Sequence, residues 1–253
     1  MTAVGPSALK EQLEELGVIL AQLAEADWVR PTRCQDWYVA DVVLHLAQTN
    51  EMAAASLEDR YGEVVSQLTA GLPVSSNVDD GAAAMVARDR TGLSVAAIQE
   101  RWIQSAATLA GLAQAADPHR RVLWVAGQLS ARTLVTTRLA ETWIHTGDVA
   151  EAVGVTLAPA ERLQEVARLA WRTLPYAFER SGQKLSGPVA FHLQGPSGTP
   201  WEFIPEDEPV TVIRGSGPEL CRVAGRRVDF VDTDLSGEGP DVSAVLELVR
   251  TYA

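Results

Sequence analysis

The chain has 253 residues, 47% of them hydrophobic, with 21 lysines and arginines against 33 aspartates and glutamates and a formal net charge of −12. That is enough apolar material for a sizeable core, in one large domain or two small ones. The acidic balance argues against nucleic acid and anionic membrane as partners, since both call for a basic surface.

Cys34 and Cys221 are too few for a disulfide framework, and the start of the chain has no basic stretch followed by an apolar one. No run approaches the length that spans a bilayer. A cytoplasmic protein is the expectation.

The first two-thirds read as helix. Leu9, Leu13, Leu16, Leu20 and Leu23 recur at spacings of three and four, which predicts an amphipathic helix over about 7–26. A loop carrying Trp28, Pro31, Thr32, Cys34, Asp36 and Trp37 leads into a second helix over 39–57, extendable towards 68, with Asp36 as its cap. Residues 71–81 are loop by composition. A helix over 94–116 opens on Ser94 and ends before Pro118. A fourth long helix occupies 130–153 and stops at Gly154; a fifth, over 160–180, contains Pro175, which kinks or breaks it.

Composition then shifts towards glycine and proline. Alternating runs at 189–194 and 199–204 flank Gly195-Pro-Ser-Gly198, a hairpin turn. Residues 210–213 read as a third strand, 218–226 as a short helix, 228–232 as a weaker strand and 241–252 as a closing helix. The expected fold class is α+β: an antiparallel helix bundle over 1–182, then a small α+β domain over 183–253.

Chemistry concentrates on two of the helices. Arg138, Glu141, His145 and Asp148 fall on one narrow stripe of the fourth. The rest of that helix is nearly free of charge, with Leu134, Val135, Leu139, Trp143, Ile144, Val149 and Val153 around it. A solvated face would be richer in Lys and Glu. Asp148, near the helix end, also opposes the dipole. On the second helix His45 lies within the apolar run Val42-Val-Leu-His-Leu-Ala47, sharing a face with Asp41, Gln48 and Met52. A lone buried histidine is commonly a hydrogen-bonded core residue. Two imidazoles and a carboxylate on facing helices of one bundle, however, make an open divalent-metal site. Zinc suits these donors; nickel or iron would accept them too. Asp41 or Asp148 is placed to orient a ligand imidazole through its second nitrogen. Cys34, without an activating base beside it in sequence, reads as structural, as does His192 within its strand; His119 reads as a solvated loop residue, and the seven tryptophans as core or pocket wall.

The segment Trp28-Val-Arg-Pro-Thr-Arg-Cys-Gln-Asp-Trp-Tyr-Val-Ala-Asp-Val-Val-Leu-His45 resembles the N-terminal signature of the mycothiol-dependent maleylpyruvate isomerase family. Glu141-Thr-Trp-Ile-His-Thr-Gly-Asp-Val-Ala-Glu-Ala-Val-Gly154 resembles its second signature, and Gly217-Pro-Glu-Leu-Cys-Arg-Val-Ala-Gly-Arg226 is similar to part of the family's C-terminal domain. The whole chain looks closest to an actinobacterial branch. The resemblance implies a DinB-like four-helix bundle, with His45, Glu141 and His145 as metal ligands. It also implies mycothiol as co-substrate and an arginine of the second domain at the active site, which Arg226 matches. Arg226 and Asp148 are the candidate catalytic residues.

The implied activity is that of a metal-dependent isomerase or S-transferase, in which a metal-held thiol, or water, attacks a small electrophile. Arg226, or Arg90, would hold a substrate carboxylate. The competing expectation is a non-enzymatic small-molecule-binding protein with a structural metal or none.

Overall fold

The computed structural model describes residues 4–74, 77–125 and 127–251. The chain divides into two compact units, 1–157 and 158–253.

In the first unit, α1 (Val4–Leu20) is followed by a 3-10 turn, Glu25–Val29. The predicted helix over 7–26 ends early because the Asp27 carboxylate accepts the Ala24 N–H at 2.9 Å and restarts the chain as a tight turn. Next come α2 (Val39–Leu57), α3 (Tyr61–Leu68) and α4 (Val78–Arg90). Asp59, in the left-handed region at φ 61°, separates α2 from α3, so the two are not one helix. α4 begins inside the 71–81 stretch that composition assigned to loop and runs on through residues for which no element was predicted. Its Asn77 cap accepts the Asp79 N–H at 2.9 Å, and Arg88 and Arg90 fill its last turn.

α5 (Val95–Ala115) starts on Ser94, whose Oγ accepts the Ala97 N–H. A hairpin of β1 (Arg121–Trp124) and β2 (Gly127–Ser130), unforeseen in the sequence, leads to α6 (Ala131–Val153). Ser130 caps the start of α6, and Gly154, at φ 75°, takes the left-handed position that ends it.

The four long helices form a ring in which α2 packs on α5 and α6, and α1 on the same two. α2 is buried along almost its whole length, which fits its predominantly apolar sequence. Leu44, Leu46, Leu134, Leu139 and Val149 lie in this core with no measurable exposure. Each such side chain contributes about 1.5–3 kcal/mol when removed from water. Cap and core fix the rotation of α6, and therefore where its charged stripe points.

The second unit contains α7 (Leu163–Arg172) and α8 (Leu174–Arg180), broken at Thr173 by the proline expected to do so. β3 (Val189–Gln194) and β4 (Pro200–Phe203) are antiparallel across the predicted hairpin turn, and β5 (Thr211–Ser216) pairs with β3 in parallel. After α9 (Gly217–Ala224), residues 228–232 are not the strand expected of them. Phe230–Asp232 is a 3-10 turn capped by Asp229, and the pairing falls to β6 (Ser236–Glu238), giving the order β4-β3-β5-β6. α10 (Val242–Leu248) follows. The expected end of the closing helix at Tyr252 lies outside the described residues.

Candidate metal centre

The donor groups come from α2, α6 and the loop ahead of α2. That loop is tied back on itself. Thr32 N–H and Oγ1–H both donate to the Trp37 carbonyl at 2.9 Å, Cys34 N–H donates to Thr32 Oγ1, and Val39 N–H returns to the Arg30 carbonyl. The Pro-Thr and Trp of the motif are thus a closed turn that fixes Cys34. Asp36, expected as the cap of α2, instead occupies the left-handed region at φ 63°. The cap position is Tyr38, and Asp41 reaches back to accept its N–H at 2.9 Å.

His45 and His145 bring their Nε2 atoms to the same Glu141 oxygen, Oε2, at 3.5 and 3.7 Å. All three side chains are largely buried, with 11%, 12% and 19% exposure for His45, His145 and Glu141. The imidazoles meet edge to face, centroids 5.2 Å apart, and Trp37 lies against His45 at the same separation. The N-to-O separations are too long for good hydrogen bonds. They lie close to the separation of roughly 3.3 Å that two donors adopt on one tetrahedral ion with bonds of about 2.0–2.1 Å. Nitrogen, nitrogen and carboxylate oxygen converging at these separations fit a divalent cation.

The second nitrogen of each imidazole differs. His145 Nδ1 sits 2.9 Å from Asp148 Oδ2, and the Cys34 thiol donates to the same oxygen at 3.3 Å while lying 3.9 Å from His145 Nδ1. Asp148, only 1% exposed, accounts for the unfavourable position near the end of α6: it serves His145 and Cys34 rather than solvent. Of the two aspartates considered for orienting a ligand, Asp41 does not do so. It is taken up by the Tyr38 N–H and, at 3.4 Å, by Arg90 Nε, so Arg90 already faces a carboxylate. His45 Nδ1 is buried and has no hydrogen-bond partner among the described residues.

The electrostatics follow from burial and these neighbours. For Glu141, burial pushes the carboxyl up, but the close approach of His45 Nε2 and the charges of both histidines and Arg138 outweigh it and hold it down at about 2. For His145, burial pulls down, and Asp148, Cys34 and Glu141 together hold it up at about 9. Burial keeps His45 below its ordinary value. The arrangement therefore favours an ionised carboxylate at Glu141, a neutral imidazole at His45 and a protonated imidazole at His145.

Arg138, on the same stripe, is 1% exposed and points into the bundle. Its Nη2 donates to Asn50 Oδ1 at 3.2 Å. Arg226 belongs to the second unit. It is exposed, sits just past α9 at φ 59°, and donates from Nη2 to the Glu247 carbonyl at 2.8 Å. His192 pairs with Glu202 at 3.3 Å across β3 and β4, and Cys221 is buried, its thiol pushed up by that burial. The residue whose role the sequence understated is Cys34. A cavity of about 500 Å³ in the first unit, lined by Glu15, Ile19, Leu23, Asp27, Val153 and Leu157 among others, includes none of the three converging donors.

Bundle and donor set together define a helical protein with an inward His/Glu/His group, followed by a small sheet-containing part. The family model described as "Mycothiol maleylpyruvate isomerase N-terminal domain" matches residues 9–150, more than half of the chain. The chain belongs to that family. The crystal structure of the mycothiol-dependent maleylpyruvate isomerase superposes with a TM-score of 0.62 at 17% identity, covering 96% of this chain and 99% of that one. A histidine-to-alanine mutant of the same enzyme gives 0.60 at 18% over the same shares. Those two likenesses establish the fold. Among curated proteins, the uncharacterized protein Rv0036c of Mycobacterium tuberculosis (strain H37Rv) is 29% identical over 246 residues, 97% of this chain and 93% of its own length. No helix among the described residues is long and apolar enough to cross a membrane.

Proposed function

We propose that the protein is a metal-dependent, thiol-dependent isomerase or S-transferase acting on a small electrophile, with His45, Glu141 and His145 holding the metal. The observation that carries this reading is the convergence of His45 Nε2 and His145 Nε2 on Glu141 Oε2 at 3.5 and 3.7 Å within a buried bundle. A bound divalent ion, zinc by the chemistry of the donors, would supply a Lewis-acid position at which a small thiol is held as its thiolate at neutral pH. Family membership makes mycothiol the natural candidate for that thiol.

The chain's own groups supply the rest. Glu141 stays ionised and lends negative charge to the donor set. Asp148 holds the Nδ1 proton of His145, so that Nε2 presents its lone pair inward. Trp37 packs on His45 and restricts that ring. Arg226 is proposed to hold a carboxylate of the substrate in a forked contact, with Nη2 the group that donates to the Glu247 carbonyl. Thiol addition to a conjugated double bond, rotation about the resulting single bond and elimination give isomerisation. Addition without elimination gives transfer.

The test is turnover of maleylpyruvate by the zinc-loaded full chain with and without mycothiol, products being separated by chromatography. Isomer formation that needs the thiol and falls at least about 100-fold in His45→Ala and His145→Ala is expected. A stable thiol adduct in place of isomer assigns transfer. Turnover indifferent to both histidines would overturn the reading.

A further inference from the structure

Arg138 is the one buried charge on α6 that neither the donor set nor its supports employ. Arg138 is 1% exposed, yet its guanidinium donates to a neutral amide oxygen, Asn50 Oδ1 at 3.2 Å, and Nε has no acceptor among the described residues. Asn50 Nδ2, also buried, is unpartnered there too. An unpaired buried cation is costly and persists only where other charges in the same low-dielectric interior compensate it. Glu141, one turn along α6, acts on it through space and not by contact.

We propose that Arg138 is the fixed countercharge that fits the centre to one added monoanion, a thiolate in the reading above, on which this inference rests. Apart from Asp41, which is paired with Arg90 at 3.4 Å, the buried charges around the donors are, among the described residues, two carboxylates, Glu141 and Asp148, and one guanidinium. With neutral ligating imidazoles the group is one negative charge in excess, and a divalent ion turns that into one positive. A single monoanion then brings the interior to neutrality. Were Arg138 absent, the ion alone would reach neutrality and the incoming anion would be left uncompensated. Inside a bundle, charges act over longer distances than in water, so the guanidinium need not touch the ligand to favour it. Arg138 is thus a positioning residue for charge, and the ligand class it selects is a small monoanion over a neutral molecule.

The experiment uses the full chain loaded with cobalt, its visible spectrum titrated in turn with azide, mercaptoethanol and the neutral ligand imidazole. Arg138→Met removes the charge and keeps the bulk, Arg138→Gln is a second uncharged variant, and Arg138→Lys keeps the charge but not the fork. Azide and mercaptoethanol are expected to bind about tenfold more weakly to the uncharged variants, with Arg138→Lys within about threefold of the parent and imidazole unchanged throughout. Equal azide affinity in parent and uncharged variants overturns the proposal, as does a parallel loss of azide and imidazole, which marks a structural role. A parent that takes up no cobalt removes the metal reading itself and this inference with it. A loaded parent with indifferent Arg138 variants removes only the role of Arg138.

Discussion

At the scale of single residues, the centre depends on what stands behind His145. Asp148 Oδ2 lies 2.9 Å from Nδ1, and the Cys34 thiol donates to the same oxygen. Carboxylates behind a ligating imidazole fix its tautomer and raise its basicity. Asp148→Asn is therefore expected to weaken zinc binding about 10–100-fold in a chelator competition. Cys34→Ala should weaken it by less, while Cys34→Ser, which keeps a donor to Asp148, stays near the parent. Parent-like affinity in Asp148→Asn would remove that support of His145 by Asp148. The role of Cys34 was illegible in the sequence because its partner is 114 residues away and nothing in the loop marks it. His45 and Glu141 were legible, since an imidazole in an apolar run and a carboxylate on a nearly uncharged helix both call for partners.

The elements show which signals carry and which do not. α6 was readable from end to end: Ser130 opens it, Gly154 closes it, and its charged stripe turns inward as the paucity of charge elsewhere required. α4 was hidden by Gly71 and Pro73 just ahead of it, although Asn77 followed by Asp79 and Asp80, with arginines at the far end, is a capped helix. The β1–β2 hairpin is too short for periodicity to reveal. The end of α9 has a chemical consequence. Arg227 N–H bonds back to the Arg222 carbonyl and Arg226 N–H to that of Val223, the pattern in which the residue after the cap is left-handed and usually glycine. Here that residue is Arg226, at φ 59°, a conformation that costs a non-glycine side chain on the order of 1 kcal/mol. The carboxylate-holding role proposed for Arg226 would give that strain a use. Arg226→Gly is expected to hold or raise the melting temperature while lowering turnover at least about 100-fold. A variant that melts lower yet keeps full turnover would make Arg226 structural.

At the scale of the whole molecule, the order of helices followed by a sheet-bearing part was readable from periodicity, caps and the shift in composition. Convergence of the three donors was not, since periodicity gives the face of a helix but not its rotation against a neighbour. The assembled centre couples metal to protons. In the metal-free protein His145 is held up at about 9 against an ordinary 6.5. A raised imidazole stabilises the fold fully below about 6.5, and that contribution is lost as pH climbs through about 9. A cation arriving at Nε2 displaces the same proton, so metal affinity should strengthen with pH and level off near 9. The most direct measurement is zinc titration calorimetry on tag-free, metal-stripped protein at about pH 7.5, in buffers of differing ionisation enthalpy. One zinc per chain with about one proton released, both lost in His45→Ala and His145→Ala, is the predicted result. No uptake of zinc, or uptake unchanged in those two variants, would contradict the account.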